Sequence, residues 1–91
     1  MAQIYMYTVY VLKSEVAEKS YVGFTNNLER RIEEHNLGKS GYTSKHKPWK
    51  VIYTEEFPSI NEAVEREKYL KSRSGRRYLK KVFTNLSRPS H

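Results

Sequence analysis

The chain has 91 residues, with seventeen Lys and Arg against ten Glu and no Asp, and a formal net charge of +7. A chain of that length makes one small domain, since it buries only about 60% of its unfolded surface and has no material for a second core. It has no cysteine, which excludes disulfides, thiolate metal sites and a cysteine nucleophile, and no apolar run approaches the roughly 18 residues of a membrane span.

The expected class is therefore a soluble, cytoplasmic protein. Aromatic residues make up 13% of the chain, eight of them Tyr, which argues for a folded core rather than a disordered basic tail. With Glu as the only carboxylate side chain, little is available for the cluster of hard ligands that two-metal phosphodiesterases need, so at most a sparse metal site is expected. Residues 1–67 hold nine Lys and Arg with all ten Glu, whereas residues 68–91 hold eight Lys and Arg and no acid. A second acid-free stretch carries Lys39, Lys45, Lys47 and Lys50. Two basic segments beside many Tyr suggest a polyanionic partner, most often nucleic acid, bound by phosphate neutralisation and counterion release. The competing reading is a basic surface that only keeps the protein soluble.

In chain order, residues 4–12 alternate Tyr5, Tyr7, Val9 and Val11 with Met6, Thr8, Tyr10 and Leu12, which predicts a strand buried on both faces. A polar turn over 13–19 leads to a second strand, Ser20–Thr25, and the turn length predicts an antiparallel hairpin. Asn26 with Glu29 has capping-box spacing, predicting a helix to about Asn36 with Gly38 as its stop. A loop over 39–48 precedes a third strand, Trp49–Phe57, ended by Pro58. Ser59 with Glu62 is a second capping box, and the helix it opens has an inward stripe of Ile60, Ala63, Glu67 and Leu70. A last helix over 74–85 sets Leu79, Val82, Phe83 and Leu86 opposite Arg73, Arg76, Arg77 and Lys80. The order β-β-α-β-α-α predicts an α+β domain over residues 1–86, a three-stranded, mostly antiparallel sheet flanked by helices, with residues 87–91 as a loose tail.

Three polar residues stand where core residues belong. Arg31 and His35 are four apart on the first helix, stacked on one face beside the stripe of Leu28 and Ile32. Arg31 alone reads equally as a partner for Glu34, and His35 as a cation at a helix C-terminus. Glu67 in a core-facing register needs compensation by a cation such as Arg31 or by a divalent ion, because an unpaired buried carboxylate costs several kcal/mol.

Thr8-Val9-Tyr10 and Tyr21-Val22-Gly23 on consecutive strands, followed by Thr25, Asn27-Leu28-Glu29-Arg30-Arg31 and His35-Asn36, resemble the GIY-YIG nuclease superfamily. The likeness covers nearly the whole chain and is greatest to the small stand-alone single-domain bacterial members, with similarity also to the N-terminal nuclease domain of a bacterial excinuclease. Glu65-Arg66-Glu67-Lys68-Tyr69-Leu70-Lys71 resembles the family segment whose Glu binds metal, which implies Glu67 as the metal-binding position. Thr8 and Val9 depart from the first motif's Gly and Ile, at positions of strand backbone and packing.

The resemblance implies a metal-dependent endonuclease that hydrolyses DNA with one Mg²⁺ or Mn²⁺, in the cytoplasm or on the nucleoid, in repair or recombination. It implies catalytic positions at Tyr10, Tyr21, Arg31, His35 and Glu67, with Tyr21 or Tyr10 as the base. A tyrosine in water titrates only at about pH 10, so the base would need activation by Arg31 or by the metal. Arg31 would hold the scissile phosphate through its bidentate fork, His35 would orient or protonate, and Gly23 would allow close backbone approach. DNA, whether duplex, branched or single-stranded, would be held at Gly23 and by Lys45, Lys47, Arg73, Arg76, Arg77 and Lys80, or a separate targeting protein would supply the binding. The alternative is a basic nucleic-acid-binding module with a vestigial site.

Overall fold

Strand β1 (Tyr7–Ser14) lies at the centre of the sheet, with β2 (Ser20–Thr25) antiparallel on one side and β3 (Trp49–Phe57) antiparallel on the other. Its continuous apolar run follows from that position: Val9, Tyr10, Val11 and Leu12 are each at most 1% exposed. Val9 and Val11 pack with Ala63, Leu70 and Leu79, while Tyr10 and Leu12 pack with Trp49 against Leu28 and Ile32. The two sides of a single strand thus build two apolar clusters, each roofed by helices. Opposite the junction of Val11 and Leu12 the register moves from Tyr53 to Val51, so Ile52 is an extra residue in β3.

The computed structural model describes residues 6–39 and 41–87, with side chains as far as Thr84. Among the described residues four helices complete the order: α1 (Leu28–Asn36), α2 (Gly41–Ser44), α3 (Ile60–Lys71) and α4 (Arg73–Ser87). The expected strand residues Ile4 and Tyr5, the Leu86 side chain and residues 88–91 of the expected tail lie outside the described residues. Among the described residues no helix is long and apolar enough to cross a membrane.

Several boundaries differ from expectation for local reasons. The cap of α1 is Asn27 rather than Asn26, because the Thr25 hydroxyl accepts from the Asn27 amide at 3.1 Å and turns the chain one residue later. Asn27 Oδ1 then accepts from the Arg30 amide at 3.1 Å. Gly38, at φ +80°, closes this helix as expected. The segment read as a loop over 39–48 contains α2, a single turn too short to leave any periodic signal. Strand β1 continues through Lys13 to Ser14, whose hydroxyl donates to the His46 carbonyl at 2.6 Å and accepts from the amides of Val16 and Ala17 at 3.1 Å each. Ser59 caps α3 reciprocally with Glu62, as its capping box predicts. Ile60 does not join the inward stripe: it opens α3 beyond the end of β3 and is 48% exposed. Helix α4 runs from Arg73 to Ser87, one residue earlier and two residues later than the expected span of 74–85.

A single residue, Ser72, joins α3 to α4, closing the first with its own amide to the Tyr69 carbonyl and accepting the Arg76 amide at 2.9 Å. Gly75 makes the tight elbow feasible. A Cβ there would stand 1.9 Å from the Tyr69 carbonyl oxygen and 2.5 Å from Leu70 Cα.

Candidate active site

Tyr10 projects from β1 toward α1, where its hydroxyl shares a hydrogen bond of 2.9 Å with His35 Nε2. The other ring nitrogen, Nδ1, lies 2.8 Å from Thr43 Oγ1 on α2. His35 and Thr43 are both 0% exposed. Burial, with the Arg31 charge adding to it, lowers the His35 pKa to about 4. The ring is therefore neutral at pH 7 and carries one proton, so it donates one of its two bonds and accepts the other. This is the reverse of a histidinium at a helix terminus: His35 faces the sheet and is sealed from solvent.

Tyr21 stands on β2 with its ring centroid 6.2 Å from that of Tyr10 and 4.9 Å from that of His35. Unlike Tyr10 it is partly exposed. Gly23 lies directly across the ladder from Tyr10, and a Cβ there would come within 2.7 Å of the Tyr10 hydroxyl and 2.9 Å of the Tyr21 ring. The space that Gly23 leaves is filled by the two tyrosines.

Arg31, one turn before His35, donates from Nη1 to Glu34 Oε1 at 3.0 Å, with both side chains about one-third exposed, at 32% and 33%. Glu34 first, and the hydroxyls of Tyr10 and Tyr21 after it, hold the guanidinium charged. Tyr10 is pushed up to about 12, chiefly by burial and by Tyr21, with Glu67 adding and Arg31 opposing. Its hydroxyl therefore stays protonated.

Glu67 is not paired with Arg31. Its carboxylate lies 3.7 Å from Lys71 Nζ one turn on, and its side chain keeps 19% exposure, so it is covered but not sealed in the core. The Lys71 ammonium sits 6.0 Å from the Tyr21 ring centroid, which ties this end of α3 to the tyrosine pair. Among the described residues no three His or Glu side chains converge on one point. That donor set suits a single hard cation held by one carboxylate, with its other positions left to water and substrate, as Mg²⁺ prefers.

Of the five expected catalytic side chains, Tyr10, Tyr21, Arg31 and His35 gather beside α1, and Glu67 stands on α3 with its charge acting on Tyr10. The expected nucleic-acid contacts are more dispersed. Lys45 and Lys47 are exposed between α2 and β3, and Arg73, Arg76, Arg77 and Lys80 are exposed along α4. Thr43, Trp49 and Asn36 have supporting roles that the sequence did not reveal. Trp49 Nε1 donates to the Thr43 carbonyl at 2.7 Å, while Asn36 accepts from the Trp49 amide at 2.6 Å and donates to its carbonyl at 3.2 Å. Only the lone Trp gave a signal of burial; Thr43 sits in a polar, Lys-rich segment with no pattern to mark it.

Residues 6–81 match the family model described as the GIY-YIG catalytic domain. The chain belongs to the GIY-YIG family, a nuclease superfamily. A UPF0213 protein of Clostridium perfringens is 47% identical over 64 residues, covering 69% of this chain and 68% of that protein. A UPF0213 protein of Staphylococcus haemolyticus is 37% identical over 83 residues, covering 90% and 96%. The solution NMR structure of a UPF0213 protein from Bacillus halodurans superposes with a TM-score of 0.53 at 32% identity, covering 85% of this chain and 84% of that one.

Proposed function

We propose that this protein is a metal-dependent endonuclease that hydrolyses phosphodiester bonds in DNA. The observation that carries the reading is the convergence of Tyr10, Tyr21 and His35, whose rings lie in contact and two of which share a hydrogen bond, with the Arg31 charge acting on Tyr10 and His35 and that of Glu67 on Tyr10. Hydrolysis joins a water oxygen to phosphorus, breaks the bond to the leaving sugar oxygen, and requires a group to take the water's proton. Tyr21 is that group in this reading, entering the step as the phenolate beside the Arg31 guanidinium, because Tyr10 is 1% exposed, raised to about 12 and committed to His35; the leaving sugar oxygen takes its proton from solvent. His35 orients Tyr10 and, being enclosed and neutral, does not protonate the substrate. Arg31 holds the scissile phosphate, exchanging its contact with Glu34 for the phosphoryl oxygens. Glu67 holds Mg²⁺ or Mn²⁺, which when bound neutralises charge on the phosphate and the leaving oxygen.

DNA in the cytoplasm or on the nucleoid, in repair or recombination, is the setting this chemistry suits, with a targeting partner as a further option. The test is incubation with labelled single-stranded, duplex and branched DNA in Mg²⁺, in Mn²⁺ and in EDTA. Cleavage that EDTA abolishes supports the reading; intact DNA in every condition refutes it. The ion pair of Arg31 with Glu34 favours one alternative, a binding module whose phosphate clamp is permanently occupied. In that case DNA binds equally with or without metal and is never cut.

A further inference from the structure

A cleft of about 480 Å³ opens between the β1–β2 turn, α2 and α4, lined by Lys19, Ser20, Tyr42, Arg76, Lys80 and Phe83 among others. Tyr42 forms the link between this cleft and the candidate active site. Its ring is half exposed and stacks on that of Tyr21, with centroids 6.4 Å apart and planes 27° from parallel. Lys19, Arg76 and Lys80 have no ion-pair partner among the described residues. Glu18, the one acid at the rim, pairs instead with Lys13 at 3.4 Å. Three uncompensated cations therefore surround a cavity whose aromatic wall continues into the tyrosine pair.

Helix geometry divides the basic residues of α4 into two groups. Arg76 and Lys80, one turn apart, border the apolar stripe of Leu79 and Phe83 and line the cleft with it. Arg73 and Arg77, also one turn apart, are exposed but do not line it. On charge alone the two pairs are equivalent; by position they are not.

We propose that the cleft is a backbone subsite that receives the phosphates flanking the scissile bond, with Lys19, Arg76 and Lys80 as the phosphate ligands and Tyr42 as the wall that guides the strand from the tyrosine pair. The identity of the polyanion as DNA rests on the function proposed above; the use of the cleft does not depend on cleavage. Phosphates there release condensed counterions, whereas cations that merely raise the surface potential contribute no discrete contact.

The experiment compares two double variants that each remove two positive charges, Arg76→Ala/Lys80→Ala and Arg73→Ala/Arg77→Ala. Affinity for labelled duplex and single-stranded DNA is measured against salt in EDTA, with far-UV circular dichroism confirming that each variant is folded. The first variant should lower the log–log salt slope by about 1.8 on duplex or about 1.4 on single strands, from roughly 0.9 or 0.7 per phosphate contact. The second should leave the slope at the wild-type value, because Arg73 and Arg77, which the sequence alone groups with the DNA contacts, lie outside the cleft and are withdrawn from them. Equal losses in both variants, an unchanged slope in the first, or absence of wild-type binding would each overturn the subsite. Wild-type protein that shows the expected difference in slope yet never cuts DNA with either metal would overturn the nuclease reading and leave the subsite standing.

Discussion

His35 resists protonation, and that resistance has a measurable signature. Its folded pKa of about 4 lies below the ordinary value of 6.5, so between these pH values the unfolded chain binds the proton that the folded chain refuses. Stability is then complete above about pH 6.5 and falls as pH drops toward 4, by about 3 kcal/mol over the window. Urea midpoints taken from pH 7 to pH 4.5 should show this decline in the wild type and a flatter profile in His35→Gln. Thr43→Val keeps the shape of the side chain but removes the oxygen 2.8 Å from His35 Nδ1. A loss of about 1 to 3 kcal/mol is expected, restored by Thr43→Ser, as chemical denaturation would report. The two tyrosines should separate in a cleavage assay: Tyr21→Phe is expected to lose 10²-fold or more, on the order of a general-base contribution. Tyr10→Phe should lose less activity but more stability, because it leaves His35 Nε2 without its partner. Full wild-type cleavage by Tyr21→Phe would exclude Tyr21 as the base, and full cleavage by both variants would exclude a tyrosine base altogether.

Helices α3 and α4 meet so closely that their elbow has one permitted residue. Gly75→Ala would drive a methyl group into the backbone of Tyr69 and Leu70, and forcing the helices apart should cost about 3 kcal/mol by denaturant titration. Helix α3 is fastened to β3 by Arg66, which donates to Glu55 through Nε and Nη2 at 3.0 to 3.1 Å while its guanidinium lies 4.9 Å from the Tyr69 ring centroid. Both side chains are partly exposed, at 28% and 21%, so solvent screening limits the loss in Arg66→Ala to about 1 to 2 kcal/mol. Elements with sustained patterning were legible from the sequence. The double-sided run of β1, the ends of β2 and β3 and the capping box of α3 all follow from alternation and cap chemistry. The single turn of α2 was not legible, since four residues carry no period and what holds it is tertiary: the contacts of Thr43 with His35 and Trp49. Among site residues, Glu67 was legible as needing a cation or a divalent ion, with Arg31 as one example. What the sequence left open was the choice: Arg31 takes the Glu34 pairing that its spacing also offered, and the cation beside Glu67 is Lys71, one turn on.

At the scale of the whole molecule, order should be graded outward from β1. That strand is hydrogen-bonded on both sides and its residues 9–12 are shielded on both faces, so amide exchange there should be the slowest in the protein and approach the global unfolding limit. Strand β2 pairs on one side only and should exchange sooner, although it carries Tyr21 and Gly23. Faster exchange in β1 than in β2, measured by NMR, would contradict this hierarchy. It places the candidate base on the looser edge of the sheet and its supporting tyrosine in the most rigid strand.

The bonded series of Tyr10, His35 and Thr43 draws together β1, α1 and α2, and this bears on how relatives can be interpreted. A descendant that abandoned chemistry could shed neither Tyr10 nor His35 without loosening three elements, so both would survive in a lineage that no longer cuts anything. Arg31 and Glu67, partly exposed and, among the described residues, engaged in ion pairs only with neighbours on their own helices, bear no comparable architectural duty. Their retention or loss is the informative character when a genome offers a sequence of this type, and the motif tyrosine that first catches the eye is the less informative witness.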